Sequence, residues 1–207
     1  MAHDPLHTIP SILETLSVVE REVGDFFGSL GAGEIGLRVG DAWTPAQHLD
    51  HLNIAVSAAA RAYTVSPWLL QLRFGRASAS RTYDDLRNAY RARLASGGGA
   101  SGRYIPQRDD RSDEDPIVRR TLLLSRWYRV NARLQAGIGK WREVSMDRAR
   151  VPHPLLGRLT MRELAFFTIY HNRHHIDATK RRLPRFSSVA GEVPRGGSHD
   201  ESRVVAS

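Results

Sequence analysis

Apolar residues return every third or fourth position in four stretches of this chain, and nowhere do they alternate convincingly with period two. That pattern builds helices with one apolar face and gives no extended sheet. In the first stretch, Ile12, Leu16, Val19, Val23, Phe26 and Leu30 follow Thr8-Ile9-Pro10, a cap with proline in the first turn. Gly31 and Gly33 are expected to end it. The second opens at Trp43-Thr44-Pro45 and carries Leu49, Leu52, Val56 and Ala59 into an alanine-rich run near Arg61. The third begins at Asp115-Pro116 and aligns Leu124, Trp127, Leu134, Ile138 and Trp141. The fourth starts at Thr160-Met-Arg-Glu163, which reads as a capping box. Leu164, Phe167, His171, His175 and Ala178 share its face.

Four capped amphipathic segments in a chain of 207 residues predict an all-α fold, a single four-helix bundle. The bundle domain is expected over residues 8–183. A long crossover, residues 65–115, joins its second and third helices and is expected to lie over one end. It holds Trp68 to Phe74, a short helix predicted over Tyr83 to Leu94, and the run Ser96 to Gly102, read as a flexible loop. The tail 184–207, rich in Gly, Ser, Val and Arg, is expected to be flexible.

Composition removes several function classes. There is no cysteine, so thiolate metal sites, disulfides and a cysteine nucleophile are excluded. Any metal must be held by nitrogen and oxygen. No apolar run reaches the roughly 20 residues that span a bilayer, and the N-terminus lacks a signal-peptide pattern. No membrane association is expected, and the location is expected to be cytoplasmic. The formal charge of +8 comes almost wholly from arginine. No basic stripe is interleaved with base-stacking aromatics, so a nucleic-acid partner is not expected.

Histidine is the informative residue. His48 and His51 fall on the second helix, and His171, His174 and His175 on the fourth. Residues four apart on a helix are neighbours, so His171 and His175 project together and can chelate one cation. A third imidazole from the second helix completes a three-nitrogen site with positions left open, the form of catalytic rather than structural zinc sites. His51 lies at the margin of that helix's apolar stripe and His48 nearer its centre, and geometry alone does not choose between them. His-Glu-x-x-His, Glu-x-x-His, Gly-x-Ser-x-Gly and phosphate-binding Gly-Lys-Ser/Thr patterns are all missing.

Trp43-Thr-Pro45, His51-Leu52 eight residues after that tryptophan, His171-x-x-x-His175, and the lead-in His153-Pro-Leu-Leu-Gly-Arg-Leu-Thr160 together resemble the DinB-like (DinB/YfiT-like) superfamily of four-helix-bundle, metal-dependent enzymes. The resemblance spans roughly residues 8–183. It implies that His51, rather than His48, joins His171 and His175 as ligands to a divalent metal such as zinc, nickel or iron. It also implies a homodimer. Characterised relatives include transferases and isomerases that use a low-molecular-weight thiol. Sulfoxide synthases with a related domain carry His-x-x-x-His-x-Glu, where this chain has Asp177.

A cation on three neutral imidazoles can lower the pKa of bound water to about 7. It can equally hold an external thiol as thiolate. The resulting expectation is a metal-dependent enzyme acting on a small-molecule substrate, a thiol-dependent transferase first. A metal-dependent hydrolase and a non-catalytic metal-binding stress-response module are the alternatives. Asn131, His174 and Asp177 are the candidate catalytic helpers.

Overall fold

A computed structural model describes residues 6–106 and 115–184. Four long helices form the bundle: α1 (Ile9–Gly28), α3 (Pro45–Tyr63), α6 (Pro116–Ile138) and α8 (Met161–Lys180). Each starts where its cap predicts. Thr8, Thr44 and Thr160 each accept a hydrogen bond from the backbone N–H three residues on. Asp115 accepts from Ile117 and Val118 at 2.7 and 3.2 Å. These caps satisfy donors that a helix start leaves unpaired. Between α1 and α3 sits a single turn, α2 (Ala32–Ile35). The expected glycine stop of α1 is therefore displaced. The helix ends at Gly28, and Gly31 opens α2 instead, its N–H donating to Glu34 at 3.0 Å.

The core is the sum of the predicted faces. Ile12, Leu16, Val19 and Val23 of α1, Leu49, Leu52 and Val56 of α3, and Trp127, Leu134 and Ile138 of α6 are all buried. α3 and α6 approach closely at Gly137, where an added Cβ would stand 3.0 Å from the Cβ of Tyr63. Trp141 lies beyond the end of α6 yet stays buried, its indole N–H donating to the carbonyl of Tyr63 at 2.9 Å. α8 differs from its sequence reading. Its core face is Ala165, Phe166, Ile169, Asn172 and Ile176, while Phe167 is only half-buried. The face that carries the histidines looks onto a cavity. No helix among the described residues is long and apolar enough to cross a membrane.

The crossover holds α4 (Pro67–Phe74), α5 (Tyr83–Ala95) and a 3-10 turn (Gly102–Tyr104). It does not cap one end of the bundle. α5 lies along α8, with the Tyr90 ring edge-on to Phe167 and Tyr170 at 5.3 and 5.8 Å. The 3-10 turn meets α3 midway, at His51. The glycine run closes α5. Gly97 adopts φ 86°, and the Gly97 and Gly98 N–H groups donate to Leu94 and Arg93, the usual glycine end of a helix. The expected tail falls on 185–207, outside the described residues.

A short helix, α7 (Glu143–Arg148), and a hairpin of β1 (Arg150–His153) and β2 (Gly157–Thr160) lead into α8. Neither was anticipated, because four-residue strands are too short to show alternation. The His-Pro-x-x-Gly pattern is the turn of this hairpin. His153 pairs with Gly157 across it, and Gly157 takes φ 72°. Such three-residue loops want glycine at the left-handed position. His153 Nδ1 accepts from the N–H groups of Leu155 and Leu156, both at 3.2 Å, so the ring must be neutral.

Burial holds the His153 pKa down, at about 4. Its unfolded value is near 6.5. A depressed histidine stabilises the fold fully above 6.5 and loses that contribution as pH falls toward 4, because the unfolded chain takes the proton first. Denaturant titration of wild type should show stability falling from pH 7 to pH 5. His153→Gln should lose about 2 kcal/mol less over that interval. An identical loss in both proteins would rule out this role.

Candidate metal centre

α3 and α8 run side by side and bring four imidazoles together. Nε2 of His51 lies 3.1 Å from Nε2 of His171, which lies 3.2 Å from Nε2 of His175. The three ligand atoms lie within 4.8 Å of one another, and all three residues are buried. Nitrogens on one tetrahedral zinc ion stand about 3.3 Å apart, given metal–nitrogen bonds of about 2.05 Å. The spacing therefore fits a single divalent cation.

The protonation pattern fits as well. Burial, reinforced by the neighbouring imidazoles, holds His171 and His175 well below the ordinary histidine range. Burial lowers His51 too, opposed by its bond to Tyr104. Neutral rings keep a lone pair for a metal. Each neutral ring has one protonated nitrogen, and the neighbours decide which. His51 Nδ1 lies 2.7 Å from the carbonyl oxygen of Tyr104. A carbonyl only accepts, so Nδ1 carries the proton and Nε2 is free.

His175 Nδ1 lies 2.8 Å from Nδ1 of His48. For His175 Nε2 to offer a lone pair, its Nδ1–H must donate to His48. The His48 proton then sits on Nε2, which is buried without a partner. Burial pushes the His48 pKa down to about 3, so it can serve as a neutral acceptor. His48 is thus the residue that orients His175, as a carbonyl orients His51. The Trp-Thr-Pro pattern gains a physical meaning here. Trp43 lies against three of the rings, 5.5 Å from His48, 5.0 Å from His51 and 6.2 Å from His175.

The remaining sequence candidates fall elsewhere. His174 is half-buried in the cavity wall, 5.2 Å ring to ring from His175, and its nitrogens are not among those that converge. Asp177 is exposed and outside the cavity wall. Asn131 is buried and donates to the Trp127 carbonyl at 2.9 Å; it does not line the cavity. The reading of the sequence missed Tyr104, whose contribution is a backbone atom and leaves no side-chain signal. It also missed the role of His48, which its spacing three residues before His51 could have suggested. Asn172, wholly buried in the cavity wall, has neither amide atom paired.

A cavity of about 670 Å³ opens over the imidazoles. Its walls come from α3, α5, α8, the hairpin and the Gly99–Tyr104 segment. The arrangement is that of a helical-bundle protein with a histidine centre able to hold a divalent metal. Residues 15–177 match the family model of the DinB superfamily, and the chain belongs to that family. No curated protein and no solved structure matches it.

His51→Ala, His171→Ala and His175→Ala should each abolish stoichiometric zinc uptake, measured by elemental analysis. His174→Ala should leave uptake intact. His48→Ala should retain the metal but bind it about 10- to 100-fold more weakly in a chelator competition, the usual cost of losing an orienting partner. Full uptake by any of the first three variants would remove that residue from the ligand set.

Proposed function

We propose that this chain is a metal-dependent enzyme, a transferase that uses an external low-molecular-weight thiol, with His51, His171 and His175 as ligands to one divalent cation. The observation that carries the reading is the 670 Å³ cavity whose wall includes all three imidazoles. Structural metal sites are closed, whereas a site meant for substrate keeps room beside the ion. The absence of cysteine supports an external thiol, since the chain has no sulfur nucleophile of its own.

When bound, the cation would supply Lewis acidity and hold a thiol in its reactive, deprotonated form at neutral pH. The protein's contribution is arrangement. The Tyr104 carbonyl and His48 orient the rings, Trp43 packs against them, and much of the cavity wall beside them is apolar. Cobalt(II)-loaded protein titrated with mercaptoethanol should develop a near-ultraviolet thiolate-to-cobalt absorption band, lost in His171→Ala. Cobalt uptake without that band would sink the thiol reading while leaving the metal site standing.

A homodimer belongs to the same proposal. Trp68, Leu69 and Leu72 of α4 are 71%, 47% and 69% exposed, while Leu70 turns inward. Apolar groups clustered like this are unusual on a monomer surface. Sedimentation at micromolar concentration should show a dimer that Trp68→Glu dissociates. A monomeric wild type would contradict it.

A further inference from the structure

The shape and lining of the cavity identify a class of substrate. From His51 onward, α3 presents Ala55, Ala58, Ala59 and Ala62 to the cavity, and Val65 follows just past its end. Leucines at these positions would fill it; alanines leave a smooth apolar floor. Arg61 lies ten residues past His51 and also lines the cavity. At 1.5 Å per residue, that places the arginine about 15 Å along the helix axis from the histidine. Three arginines, Arg61, Arg103 and Arg182, line the cavity against one acid, Asp41. Among the described residues, no carboxylate forms an ion pair with Arg61. At the other end the wall is polar in a different way, for the imidazoles of His51, His171, His174 and His175 line it.

We propose that the site takes an elongated amphipathic anion: a polar reacting group beside the histidines, an apolar body along the alanine floor, and a negative charge at Arg61. The histidine end rests on the function proposed above; the floor and the arginine do not. A cavity of this volume suits a drug-sized ligand. Its apolar lining contributes affinity in proportion to the buried methylene groups, and Arg61 selects for negative charge.

The experiment uses calorimetry on the purified full chain, before and after chelation, with dodecanoate, dodecanol and hexanoate as probes. Dodecanoate should bind in both preparations, and hexanoate at least about 100-fold more weakly, because it lacks six methylenes. Arg61→Gln should weaken dodecanoate about three- to tenfold and leave dodecanol unchanged, as expected for one solvent-accessible charge. Ala58→Leu should weaken dodecanoate and dodecanol alike by about tenfold or more, with thermal melting confirming the fold. Ala62→Leu replaces it if that variant does not fold.

Equal binding of hexanoate and dodecanoate would overturn the apolar body. Equal loss of dodecanoate and dodecanol in Arg61→Gln, or no loss of either, would overturn the anion site. Unchanged binding in the leucine variants would overturn the floor. Absence of metal with these probe results intact would defeat the metal reading alone.

Discussion

The first turn of α8 is where the structure is tied together. Arg162 is a buried cation, and its guanidinium donates to Asp147 at 2.7 Å, to Glu143 at 2.8 Å and to the carbonyl of His7. The next residue, Glu163, closes the Thr160 capping box and also receives Arg81 of the crossover at 2.9 Å. Ser80 reaches both Thr160 and Asp147. The N-terminal segment, α7, the hairpin and the crossover therefore all converge on two consecutive residues, Arg162 and Glu163, and their cap Thr160. An unpaired charge buried at Arg162 would cost about 3–5 kcal/mol, so these segments are held as a group. What this anchorage fixes is the axial position of α8, and with it the height at which His171 and His175 meet α3.

The sequence made the helices legible because their signals are local. Threonine or aspartate caps, proline in the first turn and a repeating apolar stripe are read from adjacent residues, and each of the long helices begins where those marks fall. The His171 and His175 pair was legible for the same reason. What escaped depended on contacts remote in the chain. The hairpin strands are too short to alternate, and their turn is held by the side chain of His153. Trp141 looked like part of the α6 stripe because it is buried, although the helix stops at Ile138. The choice of His51 over His48 came from family resemblance, and the geometry shows why spacing could not make it. Both rings point at α8, and they differ only in which nitrogen meets which neighbour.

That difference gives the centre two unlike supports. The His51 partner is a carbonyl oxygen with no proton of its own to lose or gain in the physiological range. The His175 partner is another imidazole, buried with a vacant hydrogen-bonding capacity on its far side. One support is fixed by backbone position; the other depends on a side chain that must remain neutral. The orienting groups thus distinguish His51 from His175 although both rings converge on one point.

The Tyr104 carbonyl sits fifty-three positions along the chain from the ring it orients, at the end of the segment that also lines the cavity. Pocket shape and imidazole basicity are thus carried by one piece of backbone. Ser101 and Arg103, which line the binding space, flank the backbone that carries this oxygen. Backbone shifts in this loop would therefore reach both the opening of the site and the histidine centre.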